Sequence, residues 1–325
     1  MQFKYNYLFF NWPDAPYGNI DKDGFNNISF RDFNKLQNVF INTAPLDHFP
    51  YFVRWLFHTY QKLHLPDRLL YRYFCNDCFE NDNKLCLLFV RLPELSYMRW
   101  LRKKYTQAKF VVFLRDLYDN KHPLVDNYRC EQLVDLWITY DASDAQKYNM
   151  EFHPEVESKI DTSIIDTSFH QDVFFAGKAK NRLKEIIAIY DKLTNAGLKC
   201  LFYVMRADYN ESDKRDGIIF SNRMMKYKEV LTHSLQSKCI LEINQEGAIG
   251  NTCRFLESVM YNRKLLTNNT SLKNDIFYNP EYISFWETPE QIDTDFIKND
   301  TVVDFKYNNE FSPIDLLTFI ENKLN

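Results

Sequence analysis

The chain has 325 residues, of which 45% are hydrophobic and 26% are charged, and its formal net charge is −4. This composition is typical of a packed globular protein and excludes a disordered chain. The slightly acidic balance excludes a protein whose overall charge attracts nucleic acid. At about 100–200 residues per domain, the length predicts two domains.

The sequence shows no pattern of export or membrane insertion. Its N-terminus lacks the basic start and apolar run of a signal peptide, and no apolar stretch approaches the roughly 18 residues of a spanning helix. Seven cysteines, an odd number, predict reduced thiols. Cys75 and Cys78, with Cys86 nearby, lack a fourth ligand at zinc spacing. We therefore expect a soluble, cytoplasmic protein.

The first 150 residues alternate short apolar segments with amphipathic stretches. Apolar segments buried on both faces are typical of parallel strands, and the alternation predicts βαβ units. The predicted strands are residues 7–10, 39–41, 85–90, 110–114 and 136–139, and the amphipathic stretches are 51–63 and 95–105. We assign 1–150 to an N-terminal domain and the aperiodic segment 151–171 to a linker.

Residues 172–310 repeat the alternation and form the second predicted domain. The predicted strands are 173–176, 200–204, 239–243 and 264–267, the predicted helices are 183–193, 226–236 and 251–261, and 205–222 is predicted to be a loop. Gly197 is expected to end the first helix in the left-handed conformation. Pro289 and Pro313, each after a capping hydroxyl, predict helix starts, the second in a C-terminal helix within 311–325.

Glycine is scarce, with only seven in the chain, so the position of each is informative. Gly177 follows a predicted strand, and Gly247 and Gly250 lie between a strand and a helix. Ligands of open α/β sheets bind at such strand-to-helix junctions, where helix N–H groups favour an anion. These glycines predict a close approach of ligand to backbone, and ordinary tight turns are the alternative.

Polar residues around these glycines suit a nucleotide diphosphate. The first junction carries Lys178, Lys180 and Arg182, and the second carries Asn251, Thr252 and Arg254. Cations together with backbone donors are the groups that phosphate oxygens prefer. Glu257, three residues after Arg254 on the same helix, could accept hydrogen bonds from ribose hydroxyls, and an exposed Arg254–Glu257 ion pair is the alternative.

Segment 172–270 resembles the donor-nucleotide domain of bacterial glycosyltransferases with the GT-B fold, in particular those of surface polysaccharide and lipopolysaccharide synthesis. The likeness lies in DVFFAGKAKNR, in CILEINQEGAIGNTCRFLES and in the strand of KLLTNN. Residues 133–154 resemble the end of the N-terminal domain of such enzymes. The resemblance implies an α/β fold of two Rossmann-like, doubly wound domains that face a central cleft.

The same resemblance implies a set of donor-site residues and one departure from the family pattern. Retaining members commonly show Glu-x7-Glu, whereas Glu246 and Glu257 are separated by ten residues here. The implied ribose contact is Glu257, and Arg182 or Lys178 would steady the leaving diphosphate. The full donor set is Gly177, Lys178, Arg182, Glu246, Gly247, Gly250, Asn251, Thr252, Arg254 and Glu257, with no metal and no cofactor.

An enzyme that inverts the anomeric configuration needs a carboxylate or a histidine in the N-terminal domain, and the sequence leaves open whether the configuration is inverted or retained. A general base must lie within hydrogen-bond reach of the acceptor hydroxyl. Asp116, directly after the strand 110–114, is our candidate, and Asp14, Asp21, His48 and Asp141 are its rivals. The alternative to a catalytic role, for each of these residues, is a position in a turn, in a helix cap or on the surface.

Residues 51–110 carry a local positive charge, with 11 Lys and Arg against 5 Asp and Glu. Aromatic residues alternate with these cations, as in basic segments that lie on anionic membranes. We expect this segment to contact the inner leaflet of the membrane peripherally. The alternative is that it forms ordinary amphipathic helices, with aromatic residues packed inward and Lys and Arg facing outward.

Together these features predict a metal-independent glycosyltransferase. It would transfer a sugar from a nucleotide-sugar donor to a saccharide, in particular a lipid-linked one, in the assembly of cell-surface polysaccharide. The alternatives are a non-catalytic subunit of a synthesis complex that binds nucleotide or glycan, and a transferase of another group on a related scaffold.

Overall fold

The computed structural model describes residues 3–10, 30–42, 79–90, 92–93, 95–118, 122–163, 165–244 and 250–324. The chain divides into two compact units, one of Met1–Ser158 with Phe311–Asn325 and one of Lys159–Glu310. Each unit contains a six-stranded sheet whose paired strands all run parallel. The predicted α/β class is confirmed.

The first unit is built on a sheet of order β2-β1-β3-β4-β5-β6. Its strands are β1 (Asn6–Phe10), β2 (Val39–Asn42), β3 (Leu85–Phe89), β4 (Lys109–Leu114), β5 (Leu136–Thr139) and β6 (Glu151–Phe152). Its helices are α1 (Leu95–Lys104), α2 (His122–Cys130), α3 (Ala142–Tyr148) and the C-terminal α8 (Pro313–Leu324), with a 3-10 turn at Arg31–Lys35. All five strands predicted in this half are present.

Burial on both faces explains why these strands are apolar throughout. Every side chain of β3 is buried, because α1 covers one face of the sheet and the C-terminal helix covers the other. Helix α1 buries Tyr97, Met98 and Leu101 and leaves its basic positions at least partly in solvent. Helix α8 buries Leu316, Leu317 and Ile320 in the same core as β1.

The second unit has the sheet order β12-β11-β10-β7-β8-β9. Its strands are β7 (Gln171–Lys178), β8 (Cys200–Met205), β9 (Ile218–Ser221), β10 (Ser237–Glu242), β11 (Lys264–Thr267) and β12 (Ile283–Phe285). Its helices are α4 (Leu183–Asn195), α5 (Tyr227–Leu235), α6 (Cys253–Tyr261) and α7 (Thr294–Lys298). Along the chain, β8 and β9 are added on one side of β7. Strand β10 then pairs with the other side of β7, and β11 and β12 are added beyond β10. The boundary between β7 and β10 is therefore the topological switch point of the sheet.

Three local predictions in this unit need correction. Segment 205–222 is not all loop, because Ile218 is buried in the core and Phe220 packs against it, which makes β9 a strand. Gly177 does not end β7, which continues through Lys178 in register with β8. Pro289 starts only a 3-10 turn, Pro289–Gln291, whereas Pro313 starts α8 as predicted.

Gly197 ends α4 as the sequence predicts. Its φ is +84°, and its N–H donates to the carbonyl of Thr194 at 2.9 Å. The next N–H, of Leu198, reaches back to the carbonyl of Leu193 at 3.2 Å. This is the left-handed helix stop that glycine adopts without steric cost.

Parts of the membrane and metal predictions fall outside the described residues. Residues 51–78 of the basic segment, with Cys75 and Cys78, are among them. In the described part of the chain, no helix combines the length and apolarity needed to cross a bilayer. Within that same part, no three His, Cys, Asp or Glu side chains come together as a metal-ion site would require.

We predict that Gly217→Ala destabilises the second unit. A Cβ at this position would lie 2.4 Å from the carbonyl oxygen of Cys200 and 2.5 Å from the hydroxyl of Tyr190. Because one of these atoms is backbone, the sheet itself must shift, at a cost of about 1–3 kcal/mol. Urea unfolding measures the loss. Gly197→Asn is the control and should lose less, since nothing lies within 4 Å of its Cβ and asparagine tolerates the left-handed region.

Candidate functional site

The two predicted junctions meet at the switch point of the second sheet. Strands β7 and β10 are parallel neighbours, with Val173 opposite Cys239 and Phe174 opposite Ile240. Their carboxyl ends therefore lie side by side at one edge. Ligands of open α/β sheets bind at this place.

Arg182 connects the two junctions directly. Its Nη1 donates to the carbonyl of Ile243, just past β10, and its Nη2 donates to the carbonyl of Lys178 at 3.2 Å. Burial lowers the pKa of Arg182, which the nearby Glu185 opposes, but a guanidinium keeps its charge in proteins. Its buried Nε has no hydrogen-bond partner among the described residues. A half-buried cation with an unused donor is suited to an anionic ligand.

The loop that carries Arg182 is held by the backbone. The N–H of Ala179 donates to the carbonyl of Met205 at 3.0 Å, and the N–H of Arg182 donates to the carbonyl of Ala179 at 2.9 Å. Between them Lys180 has a φ of +48°. The side chains of Lys178 and Lys180 are exposed. The first junction is thus a fixed, electropositive turn.

Gly177 has a structural reason to be glycine. A Cβ there would lie 2.7 Å from Cζ of Phe175, a buried ring of the core. The ring of Phe175 lies across the glycine, which explains the residue without any ligand. A role of Gly177 in ligand approach therefore stays a prediction.

The second junction contains a buried carboxylate that the sequence analysis missed. Glu242, the last residue of β10, is 2% exposed. It accepts from the hydroxyl of Thr252 and, at 2.5 Å, from the hydroxyl of Thr267. Burial raises the pKa of Glu242, while these hydrogen bonds and the charge of Arg254 oppose the shift. The sequence signal that could have identified Glu242 is an acidic residue at the end of the apolar run CILE, which is a predicted strand.

The polar residues before α6 have partners within the unit. Thr252 is the helix cap, and its Oγ1 accepts from the N–H of Arg254 at 3.2 Å. Asn251 Nδ2 donates to Asp275 Oδ2 at 3.0 Å. The carbonyl of Gly250 accepts from Asn269 Nδ2 at 3.5 Å. The other two residues predicted here, Glu246 and Gly247, lie outside the described residues.

Arg254 and Glu257 form an ion pair, and it is buried rather than exposed. Arg254 Nη1 lies 2.5 Å from Glu257 Oε2, with the two side chains 17% and 0% exposed. Burial alone would lower the pKa of Arg254, but the charge of Glu257 raises it above its ordinary value. Ser234 on α5 also donates to Oε2, at 3.3 Å. Glu257 Oε1 is buried and accepts from no described residue.

In the first unit, Asp116 follows β4 at the carboxyl edge of the sheet. It is partly exposed, and its Oδ1 accepts from the N–H of Leu117 at 3.0 Å. The rival Asp141 is buried and caps α3 by accepting from the N–H groups of Ser143 and Asp144. The rivals Asp14, Asp21 and His48 lie outside the described residues.

A buried ion pair lies beside Asp116. Arg115 Nε donates to Glu155 Oε1 at 2.7 Å, and the Arg115 guanidinium lies over the ring of Phe30. Burial raises the pKa of Glu155, and the charge of Arg115 opposes the shift. Glu155 is engaged by Arg115, and the assignment of Asp116 as the general base at this edge stays a prediction.

No protein-family model and no curated protein matches this chain. Solved structures do. Anabaena HepE, solved with UDP and glucose, is similar over 98% of both chains at 10% identity, with a TM-score of 0.55. The fold is of the GT-B type. A glycosyltransferase from Rickettsia africae covers 99% of this chain and 97% of its own at 8% identity, with a TM-score of 0.50. A putative UDP-N-acetylglucosamine 2-epimerase from Listeria monocytogenes gives the same coverages and TM-score at 7% identity.

We predict that Gly177→Ala destabilises the protein by about 1–3 kcal/mol, because the new methyl group collides with the Phe175 ring. Phe175→Leu removes the colliding atoms, so the double variant should lose less than the sum of the two single variants. Urea unfolding of all four proteins gives this coupling. Additive losses would contradict the explanation and favour a ligand-related reason for the glycine.

Proposed function

We propose that this protein is a glycosyltransferase that transfers a sugar from a nucleotide-sugar donor to a saccharide acceptor. The observation that carries the proposal is the position of Arg182, whose guanidinium spans the carboxyl ends of β7 and β10 at the switch point. An electropositive turn at this edge suits the diphosphate of a nucleotide sugar. The likeness of the fold to HepE, which binds UDP and glucose, supports a uridine nucleotide as the first donor to test.

In this proposal one group of residues binds the diphosphate of the donor and another binds its ribose. Arg182, with Lys178 nearby, balances the charge that the leaving diphosphate gains when the bond to the anomeric carbon breaks. Glu257 Oε1 accepts from a ribose hydroxyl, since that buried atom has no acceptor role among the described residues. These cations supply the charge compensation that a metal provides elsewhere, so the proposed reaction is metal-independent.

The acceptor half of the proposal rests on Asp116. A carboxylate at the carboxyl edge of the first sheet can take the proton of an acceptor hydroxyl as that oxygen attacks the donor sugar. We propose a lipid-linked saccharide of cell-surface polysaccharide synthesis as the acceptor, met at the inner leaflet through the basic segment 51–110. The positive charge of that segment in an acidic protein supports the membrane contact.

The first test is nucleotide binding, measured by isothermal titration with UDP, GDP, ADP and dTDP. We expect binding of at least one of them, and a loss of about tenfold or more in affinity for Arg182→Ala, because a charge-assisted contact is worth about 1.5–3 kcal/mol. Lys199→Ala is the control. Lys199 is an exposed cation that directly precedes β8, at the opposite edge of the sheet, and its loss should leave affinity within about twofold. Equal effects of the two variants would contradict the proposed site.

The second test is turnover, measured as nucleotide release from nucleotide sugars with a panel of oligosaccharide and lipid-linked acceptors. Asp116→Asn should lower turnover by about 10²–10⁴-fold, the usual contribution of a general base, and leave nucleotide affinity unchanged. Asp82→Asn, at the amino edge of the same sheet, is the control. Nucleotide binding by the wild type without any turnover would instead favour a non-catalytic, nucleotide-binding subunit.

A further inference from the structure

The N-terminus of helix α6 is already occupied by groups of the protein itself. A helix begins with N–H groups that have no partner within the helix. In α6 the N–H of Arg254 donates to the hydroxyl of Thr252, and the N–H of Phe255 donates to the carboxylate of Glu242. Glu242 therefore sits where an anionic ligand of this helix end would sit.

The hydrogen bonds around Glu242 fit an ionised carboxylate. The hydroxyl of Thr252 accepts from Arg254 and so has its proton free for Glu242. The hydroxyl of Thr267 accepts from the N–H of Asn269 at 2.9 Å and likewise directs its proton to Glu242. Each carboxylate oxygen thus receives a donor, which is the pattern of a group that only accepts.

The two junctions differ in charge as a result. At the first junction Lys178, Lys180 and Arg182 are cations on one short turn. At the second, the buried carboxylates of Glu242 and Glu257 share a single guanidinium, that of Arg254. Among the described residues, the second junction's own side chains therefore sum to one negative charge, and Arg182 reaches it only from the first junction, in a part of the unit where burial weakens solvent screening.

We propose that Glu242 is an internal anion that closes the N-terminus of α6 to the donor's diphosphate, so that the diphosphate is bound from the β7 side alone and less tightly than an open helix end would allow. This inference rests on the proposed function, since it concerns the same ligand. It assigns to Glu242 a role in setting affinity, exerted through charge rather than through contact with the ligand.

The test is Glu242→Gln, which keeps the size of the side chain and removes its charge. We expect affinity for the nucleoside diphosphate that the wild type binds to rise about tenfold. This is the effect of removing one repelling unit charge at roughly 10 Å with an effective dielectric constant near 20. Affinity for the matching monophosphate should rise less, and affinity for the uncharged nucleoside should not change. Glu281→Gln, an exposed acid close before β12, is the control and should leave all three affinities unchanged.

A residue that only supports the fold would behave in the opposite way. If Glu242→Gln folds cooperatively and its diphosphate affinity is unchanged or lower, Glu242 is structural and the proposal is wrong. Glu242→Leu, which also removes the charge, should show the same gain, and failure of both variants to fold would assign Glu242 to folding and overturn the proposal. A folded wild type that binds no nucleoside diphosphate would overturn the proposed function itself, whereas a loss of affinity confined to Glu242→Gln would leave that function standing.

Discussion

The contacts of the Arg182 guanidinium are the interaction on which the carboxyl edge of the second unit's sheet depends at the switch point. By donating to carbonyls at the ends of β7 and β10, it joins two segments that are about 60 residues apart in the chain. The side chain proposed to bind the diphosphate therefore also has a structural role, because it links the two strand ends.

The sequence predicts the sheets well because parallel strands covered on both faces must be apolar throughout. Segments such as Leu85–Phe89 and Lys264–Thr267 are recognisable from this constraint alone. The adjacency of β7 and β10 follows once the strands are taken as a doubly wound sheet. Strand β9 escapes prediction because a short edge strand within a polar stretch needs only Ile218 and Phe220 to pack inward.

The candidate site is only partly readable from the sequence. The cations after β7 and the Arg254–Glu257 spacing can be seen directly, but whether that pair is exposed depends on α5, which packs against α6 and supplies Ser234. Glu242 cannot be assigned from spacing, because its partners Thr252 and Thr267 come from two later elements. The reason for Gly177 is likewise invisible, since it depends on the direction of the Phe175 ring.

Helix α8 brings the end of the chain back to the unit in which the chain begins. Its residues Leu316, Leu317 and Ile320 fill the same core as β1, and Glu321 accepts from the N–H of Tyr5 at 3.0 Å. The unit of Lys159–Glu310 is therefore inserted into the first as one continuous piece. A fragment that stops after Ser158 would lack α8, so the apolar face of the first sheet that this helix covers would be exposed and prone to aggregate.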